Sequence, residues 1–397
     1  MKTKEINVQA IIFFVISILF FICITAFDPF ISIYASELGF KSSTIGTIVG
    51  AAGIASMLFR FPIGILSDFI HNRRLVIQIG LIITIVAWGI AFLNPSPTTL
   101  YIGKIADGIT GATWVIYNIM FISYFKENEA AKAVGLLAVV SPIGSLIGSF
   151  IGGFIANTYG YKYSFVVAIL SAILAFLLTF LLKPQKRTNN NINKEKYSLN
   201  IVKEQLSDKY IWGLGIIAIV SMMVPYSTRD TFTPIIASEL GGGAIAITIL
   251  SNIHMITNGI GASLSGTFFY KRFGLVKTAI IGALGQGVVC MLIPFVTNIG
   301  LLMILQCLAG FTFGLNFTVL TSMSVEGIDS EKQSTRMGLF QSLYSIGMFF
   351  GPVMMGNLVE NTSMLTGFMF IGMISITSGI FMIRMKDKSY NKLEVNQ

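Results

Sequence analysis

Asp28-Pro29-Phe30-Ile31-Ser32-Ile33-Tyr34-Ala35-Ser36-Glu37-Leu38-Gly39 returns 202 residues later as Asp230-Thr231-Phe232-Thr233-Pro234-Ile235-Ile236-Ala237-Ser238-Glu239-Leu240-Gly241, with eight of the twelve positions identical. Chance likeness between two apolar helices would repeat Ile and Leu. An acid and a Ser-Glu pair repeated in register mark a duplicated unit instead. A second trace of the duplication is a ladder of glycines: Gly135, Gly144, Gly148, Gly152 and Gly153 recur as Gly338, Gly347, Gly351, Met355 and Gly356.

Around these repeats the chain is far too apolar for a soluble protein. Its 397 residues are 54% hydrophobic and 11% charged, with a mean hydropathy of +0.77. Soluble domains carry about 25% charged residues. A membrane-crossing helix needs roughly 20 mostly apolar residues, and twelve segments meet that need. They fall near 9–36, 44–66, 75–93, 99–124, 134–157 and 163–182, then near 210–236, 245–269, 276–296, 299–324, 336–359 and 364–384. The expected fold is an all-α membrane protein, twelve transmembrane helices arranged as two pseudo-symmetric six-helix bundles. Residues 1–182 form the first bundle, 183–209 a flexible linker with Pro184 and the run Asn189-Asn190-Asn191, and 210–397 the second. Parallel repeats of this kind are associated with transporters.

The basic residues set the expected orientation. Of 27 Lys and Arg, Lys41 and Lys162 fall on one side and Arg60, Lys104 and Arg229 inside spans; all the others share the opposite side. The positive-inside rule makes that side, with both termini and the linker, cytoplasmic. The net charge of +9 is then topology, and no nucleic-acid partner is expected. The first apolar run continues past Asp28 without a small-x-small cleavage site and reads as a retained span rather than a signal peptide. Cys23, Cys290 and Cys307 are scattered in apolar segments, so no disulfide, metal or cofactor site is expected.

On three motifs the chain resembles the major facilitator superfamily over nearly its whole length. Gly135, Gly144, Gly148, Gly152 and Gly153 are similar to the glycine signature of its drug:proton antiporter branch, with Ser149 in the place of a proline; the second copy keeps Gly338, Gly347, Gly351 and Pro352. Absent side chains let helices approach closely, and a proline permits a bend, so these positions are read as hinges. Gly64, Asp68, Arg73 and Arg74 resemble the family's loop between helices 2 and 3, while Phe69, His71 and Asn72 depart from it. The resemblance implies a latch of the two halves, with Asp68 near the start of helix 11. Lys104, followed by Asp107-Gly108, stands where the family has an arginine linked to proton transfer. Lysine supplies that charge without the bidentate fork.

Ionisable groups at membrane depth cost at least about 2.5–3.5 kcal/mol each and are functional candidates by default. At a rise of about 1.5 Å per residue, Asp28, Lys104, Asp107, Arg229 and Asp230 share one layer between the repeats. Asp28 or Asp230 is expected to exchange a proton, with Lys104 and Arg229 as the neighbouring cations; static, mutually neutralising pairs are the competing reading. Arg60 is a candidate gate residue and His254 a candidate titrating group. Asn118, Gln306 and Asn316 are candidate cavity contacts.

No Walker-type loop, metal-ligand spacing or nucleophile elbow occurs, so the chain is not expected to be an enzyme. The leading expectation is a secondary transporter, a monomer in the cell membrane among lipids, that expels an amphipathic drug-like compound or endogenous metabolite in exchange for protons. Proton-coupled uptake of a small solute, export of a zwitterionic or anionic metabolite such as a metallophore, and a non-transporting membrane sensor are the alternatives.

Overall fold

The computed structural model describes residues 8–69, 72–125, 130–182 and 199–383, and every regular element among the described residues is helical. The first half comprises α1 (Val8–Glu37), α2 (Ser42–Phe69), α3 (Arg73–Leu93), α4 (Pro97–Ile122), α5 (Ala130–Tyr159) and α6 (Ser164–Thr179). The second comprises α7 (Lys209–Glu239), α8 (Ala244–Leu264), α9 (Tyr270–Leu292), α10 (Ile299–Val325), α11 (Ser330–Asn361) and α12 (Met364–Met382).

Eleven helical stretches among the described residues are long and apolar enough to cross a membrane, and one of them, Ala244–Phe295, runs for 52 residues. As a straight helix it would extend about 80 Å, against a hydrocarbon core of about 30 Å. Gly274 interrupts it with φ 76° and ψ 174°, a conformation open to glycine at little steric cost. The chain turns there, so α8 and α9 are separate crossings and the described residues hold twelve.

Helix pairings repeat with a displacement of six. In the first half α1 packs on α5 and α6, α2 on α4, and α3 on α4 and α6; in the second α7 packs on α11 and α12, α8 on α10, and α9 on α10 and α12. Equivalent residues carry equivalent jobs. Ser96 and Asn298 cap α4 and α10 by accepting the N–H groups of Thr99 and Leu301. Gly108 lies against the Ala52 carbonyl and Gly310 against that of His254, contacts that leave no room for a side chain.

The halves meet through α2 with α11 and through α5 with α8. Contact is tight on the side of Lys41, here called the far side. There Gly46 faces the Pro352 carbonyl, Gly356 the Ser42 carbonyl, and Gly50 and Gly53 the Phe349 backbone. Glu360 accepts the Ser43 N–H at 3.1 Å and pairs with Lys41 at 3.6 Å. Toward the opposite, linker side, Arg60 still reaches the Tyr344 hydroxyl at 2.6 Å. Around that level α2 and α11 part to leave a cavity of about 300 Å³ lined by Met57, Leu58, Pro62, Leu206, Leu339 and Ser342 among others.

The described end of the linker contains a helix, Leu199–Ser207, where a flexible connector is expected. Arg336 of α11, only 1% exposed, explains the docking: it donates to the Ser324 carbonyl at 3.1 Å, to Gln205 at 3.3 Å and to Asp208 at 2.6 Å. A buried guanidinium needs its donors matched, and the linker supplies two of the three acceptors.

Candidate functional site

Both copies of the repeated acid sit where a membrane helix breaks its regular winding. In α1 the chain tightens to a 3₁₀ turn at Asp28–Phe30, where Pro29 has no N–H to give. In α7 the turn at Thr228–Phe232 widens to π-helical. Pro234 accounts for this: it lacks the N–H that would bond the Asp230 carbonyl and crowds that carbonyl, so the preceding turn expands. The N–H of Thr233 then bonds back to the Thr228 carbonyl, five residues away.

Lys104 of α4 is nearly buried and stands between two carboxylates. Its ammonium donates to Asp28 at 2.5 Å and lies 3.7 Å from Asp107. Asp28 is 38% exposed, Asp107 only 5%. The second oxygen contact of Asp107 comes from α3: the Trp88 indole N–H donates to it at 2.7 Å. Gly103, one turn before Asp107, makes the approach possible, since any side chain there would collide with the Trp88 ring. Phe27 and Phe165 pack on the same indole at centroid distances of 5.4 and 4.9 Å.

In the second half Arg229 grips its own neighbour. Its Nε and Nη2 donate to the two oxygens of Asp230 at 2.5 and 2.7 Å. Adjacent side chains diverge on a regular helix, and the widened turn lets these two converge. Both remain partly exposed, at 24% and 18%. Asp28 acts electrostatically on Asp230, Arg229 and Tyr226, and Lys104 on Asp230, so the two clusters share one region between the halves.

His254 of α8 is buried beside Gln306, with its ring tilted against Phe313 at 6.3 Å and Arg229 within electrostatic range. Gln306 donates to the Thr233 hydroxyl at 3.4 Å and, with Arg229, Ser251 and Pro29, lines a small cavity beside the Arg229 pair. The other amide candidates lie elsewhere. Asn118 spends its amide on the Trp114 carbonyl of its own helix. Asn316 joins Ser221 and Gln286 inside the second bundle.

The latch candidates divide. The side chains of residues 64–69, including Asp68 and the Gly64 position, and all of His71 lie outside the described residues. Arg73 and Arg74 are not loop residues but open α3 behind the Asn72 cap. Arg74 stays in its own half, donating to the Leu182 carbonyl at 3.3 Å and stacking on Phe180.

The ladder glycines are close-approach points. Gly144, Gly148 and Gly152 press α5 onto the backbone of α1 at Ile18, Ile22 and Ala26; Gly347 and Gly351 press α11 onto α7 at Ile219 and Met223. Gly153 meets Thr248 across the halves, whereas Gly135 has open space around it. Gly338 lies on α11, and the Pro352 carbonyl faces Gly46. Ser149, in the place of the signature's proline, donates to Asn252 of α8 at 2.7 Å. Reading the sequence alone missed Ser149, Trp88 and Tyr344 as partners. The small residue Gly103 four positions before Asp107 was the available signal for Trp88.

The family model described as Major Facilitator Superfamily matches residues 13–268 and 230–396. An uncharacterised MFS-type transporter of Bacillus subtilis (strain 168), YfkF, is 33% identical over 97 residues, which is 23% of this chain and a quarter of that relative's length. Among solved structures, a bacterial homologue of the human lysosomal transporter Spinster, inward-facing and unoccupied, superposes with a TM-score of 0.74 at 14% identity, over 96% of both chains. The nucleoside transporter NupG gives 0.74 at 18% identity, over 95% of this chain and 100% of that one.

Proposed function

The chain belongs to the major facilitator superfamily, a transporter and not an enzyme, and on that premise we propose that it couples proton movement to export of an amphipathic small molecule by alternating access. One observation carries the reading: among the described residues, the cations paired with Asp28, Asp107 and Asp230 at membrane depth are Lys104 and Arg229. Three carboxylates against two cations leave one negative charge that a proton can neutralise, and a buried excess charge is expensive. Arg60 of α2 is engaged by the Tyr344 hydroxyl.

With the basic side cytoplasmic, the far side is the outside of the cell membrane and this conformer is shut to it. Opening outward then means parting Gly46 from Pro352 and Ser149 from Asn252, while the linker side closes. Export rather than uptake is suggested by the resemblance of the doubled glycine ladder to the signature of the antiporter branch. Protons moving inward and substrate outward would be exchanged at the same cluster. A second reading, uptake of a polar solute, draws on the buried amides and imidazole of Asn252, Gln306 and His254 beside it.

The test is transport of a compound panel in everted vesicles and in proteoliposomes under a pH gradient. Accumulation in everted vesicles acidified inside is the expected result. Accumulation only with the opposite gradient selects uptake, and absence of any flux removes both. Unchanged proton coupling in both Asp28→Asn and Asp230→Asn would exclude the cluster as the coupling site.

A further inference from the structure

Asp107 has no counterpart in the second half. The residue 202 positions on is Ala309, and the one equivalent to Trp88 is Cys290, which turns its thiol to the Phe368 carbonyl. The Trp88–Gly103–Asp107 arrangement is therefore an addition to one half of a duplicated design. The addition is specific. Gly103 clears a flat bed for the indole, and the N–H of that indole ends on the deepest carboxylate of the cluster.

The single ammonium between the two acids of this half is committed unequally. Lys104 is in hydrogen-bond contact with Asp28 and beyond it from Asp107. Among the described residues, the elements packed on Asp107 offer it no other cation: α3 offers the neutral Trp88, α1 offers Cys23 and the like-charged Asp28, and α2 offers Ala52 and Ala55 beside Gly108. A buried carboxylate needs a hydrogen-bond donor on each oxygen, and a proton serves the oxygen that the indole does not reach. One proton also cancels the one excess charge of the cluster.

We propose that Asp107 is the acid that holds the coupling proton in this conformer, with Trp88 as its positioning residue and Lys104 as a two-position switch; the assignment rests on the proton-coupled reading above. The proton sits on the carboxyl oxygen turned away from the indole, while the other accepts the Trp88 N–H. When the proton leaves, Asp107 becomes the better partner for Lys104, which moves from Asp28 to Asp107 on its own helix. Asp28 is thereby released from α4. Asp28 opens the 3₁₀ turn of α1, and that turn also contacts α8 of the other half, so the exchange loosens a joint between the halves.

Infrared spectroscopy of the full chain in lipid nanodiscs at neutral pH reads the C=O stretch of a buried carboxylic acid. The wild type should show this band, and Asp107→Asn should abolish it. Asp230→Asn should leave it in place. Asp28→Asn should remove it, since Lys104 is then released to pair with Asp107 on its own helix. Trp88→Phe keeps all charges but deletes the indole donor, so the band should persist and move to higher frequency. A band that survives Asp107→Asn, is missing from the wild type, or ignores Trp88→Phe overturns the assignment. In proteoliposomes Asp107→Asn should lose its response to a pH gradient. Bands behaving as expected in a protein that moves nothing under any pH gradient would instead defeat the proposed coupling and spare the protonated acid.

Discussion

Asp28 and Asp230 occupy matching places in the duplicated sequence, yet each half neutralises its acid differently. In the second half the cation comes from the adjacent residue, so the Arg229–Asp230 pair is local to one widened turn and moves as a piece with α7. In the first half it comes from another helix, and it is shared: Lys104 ties α1 to α4 and stands within reach of a second acid. A local pair can stay closed while helices shift around it. A shared pair between helices senses every such shift. The difference is that the repeated acid is paired within one turn in the second half and across two helices in the first.

Removing the shared cation should break the comparison most severely. Lys104→Ala leaves two carboxylates in the first half without their cation, and loss of one partner of a buried ion pair costs about 3–5 kcal/mol. A large fall in the thermal unfolding midpoint in detergent is expected, with Asp28→Asn in the same chain recovering part of it. The corresponding change in the other half, Arg229→Gln, should cost less, about 1.5–3 kcal/mol for a lost hydrogen bond to a charged group. Asp230 is partly solvated and lies nearer to water than Asp107. Equal losses in the two variants would mean that local and shared pairs are equivalent.

How much of this was readable beforehand follows from what each feature depends on. The duplicated acids, the ladder glycines and the apolar spans are carried by residue type and spacing along one chain, and those survive in the sequence. Lys104 and Arg229 were visible because a charge inside an apolar run is conspicuous. Partner choice was not visible. Nothing local says that Trp88 of α3 ends on Asp107, or that Arg229 closes on its neighbour instead of crossing to Asp28. Asn118 and Asn316 have suitable chemistry, but which way a side chain faces around a helix is settled by packing, and packing turned both away from the acids. The linker helix was hidden for a similar reason, since it docks on a buried Arg336 more than a hundred residues away.

The ladder offers a comparison inside one helix. Gly152 lies against the Ala26 carbonyl, two residues from Asp28, whereas Gly135 has open space. Gly152→Ala should push α5 off α1 at the broken turn and cost about 1–3 kcal/mol, the range for overpacking. Gly135→Ala should be neutral or slightly stabilising, because alanine is the better helix former by about 0.8–1 kcal/mol. Both are read by unfolding midpoints, and only Gly152→Ala should also slow transport. Matching effects would show that the glycines serve helix flexibility in general and not this contact.

The smallest expected effect tests how the halves separate. Ser149 occupies the place of the signature's proline in α5, and its counterpart in α11 is the retained Pro352, whose carbonyl meets Gly46 of α2. One inter-half contact is thus a hydroxyl bonded to Asn252, the other a backbone approach of the Pro352 carbonyl to Gly46. Ser149→Ala removes a bond worth about 0.5–1.5 kcal/mol that exists only while the far side is shut. The population should therefore move toward the far-side-open conformer by a factor of about 2–10, at 1.4 kcal/mol per tenfold. Spin-label distances between the α3–α4 and α11–α12 connections should lengthen correspondingly, with the unfolding midpoint barely moved. If the distances stay unchanged, the α2–α11 surface alone holds the far side closed, and the hydroxyl in the proline's place serves only to satisfy the buried Asn252.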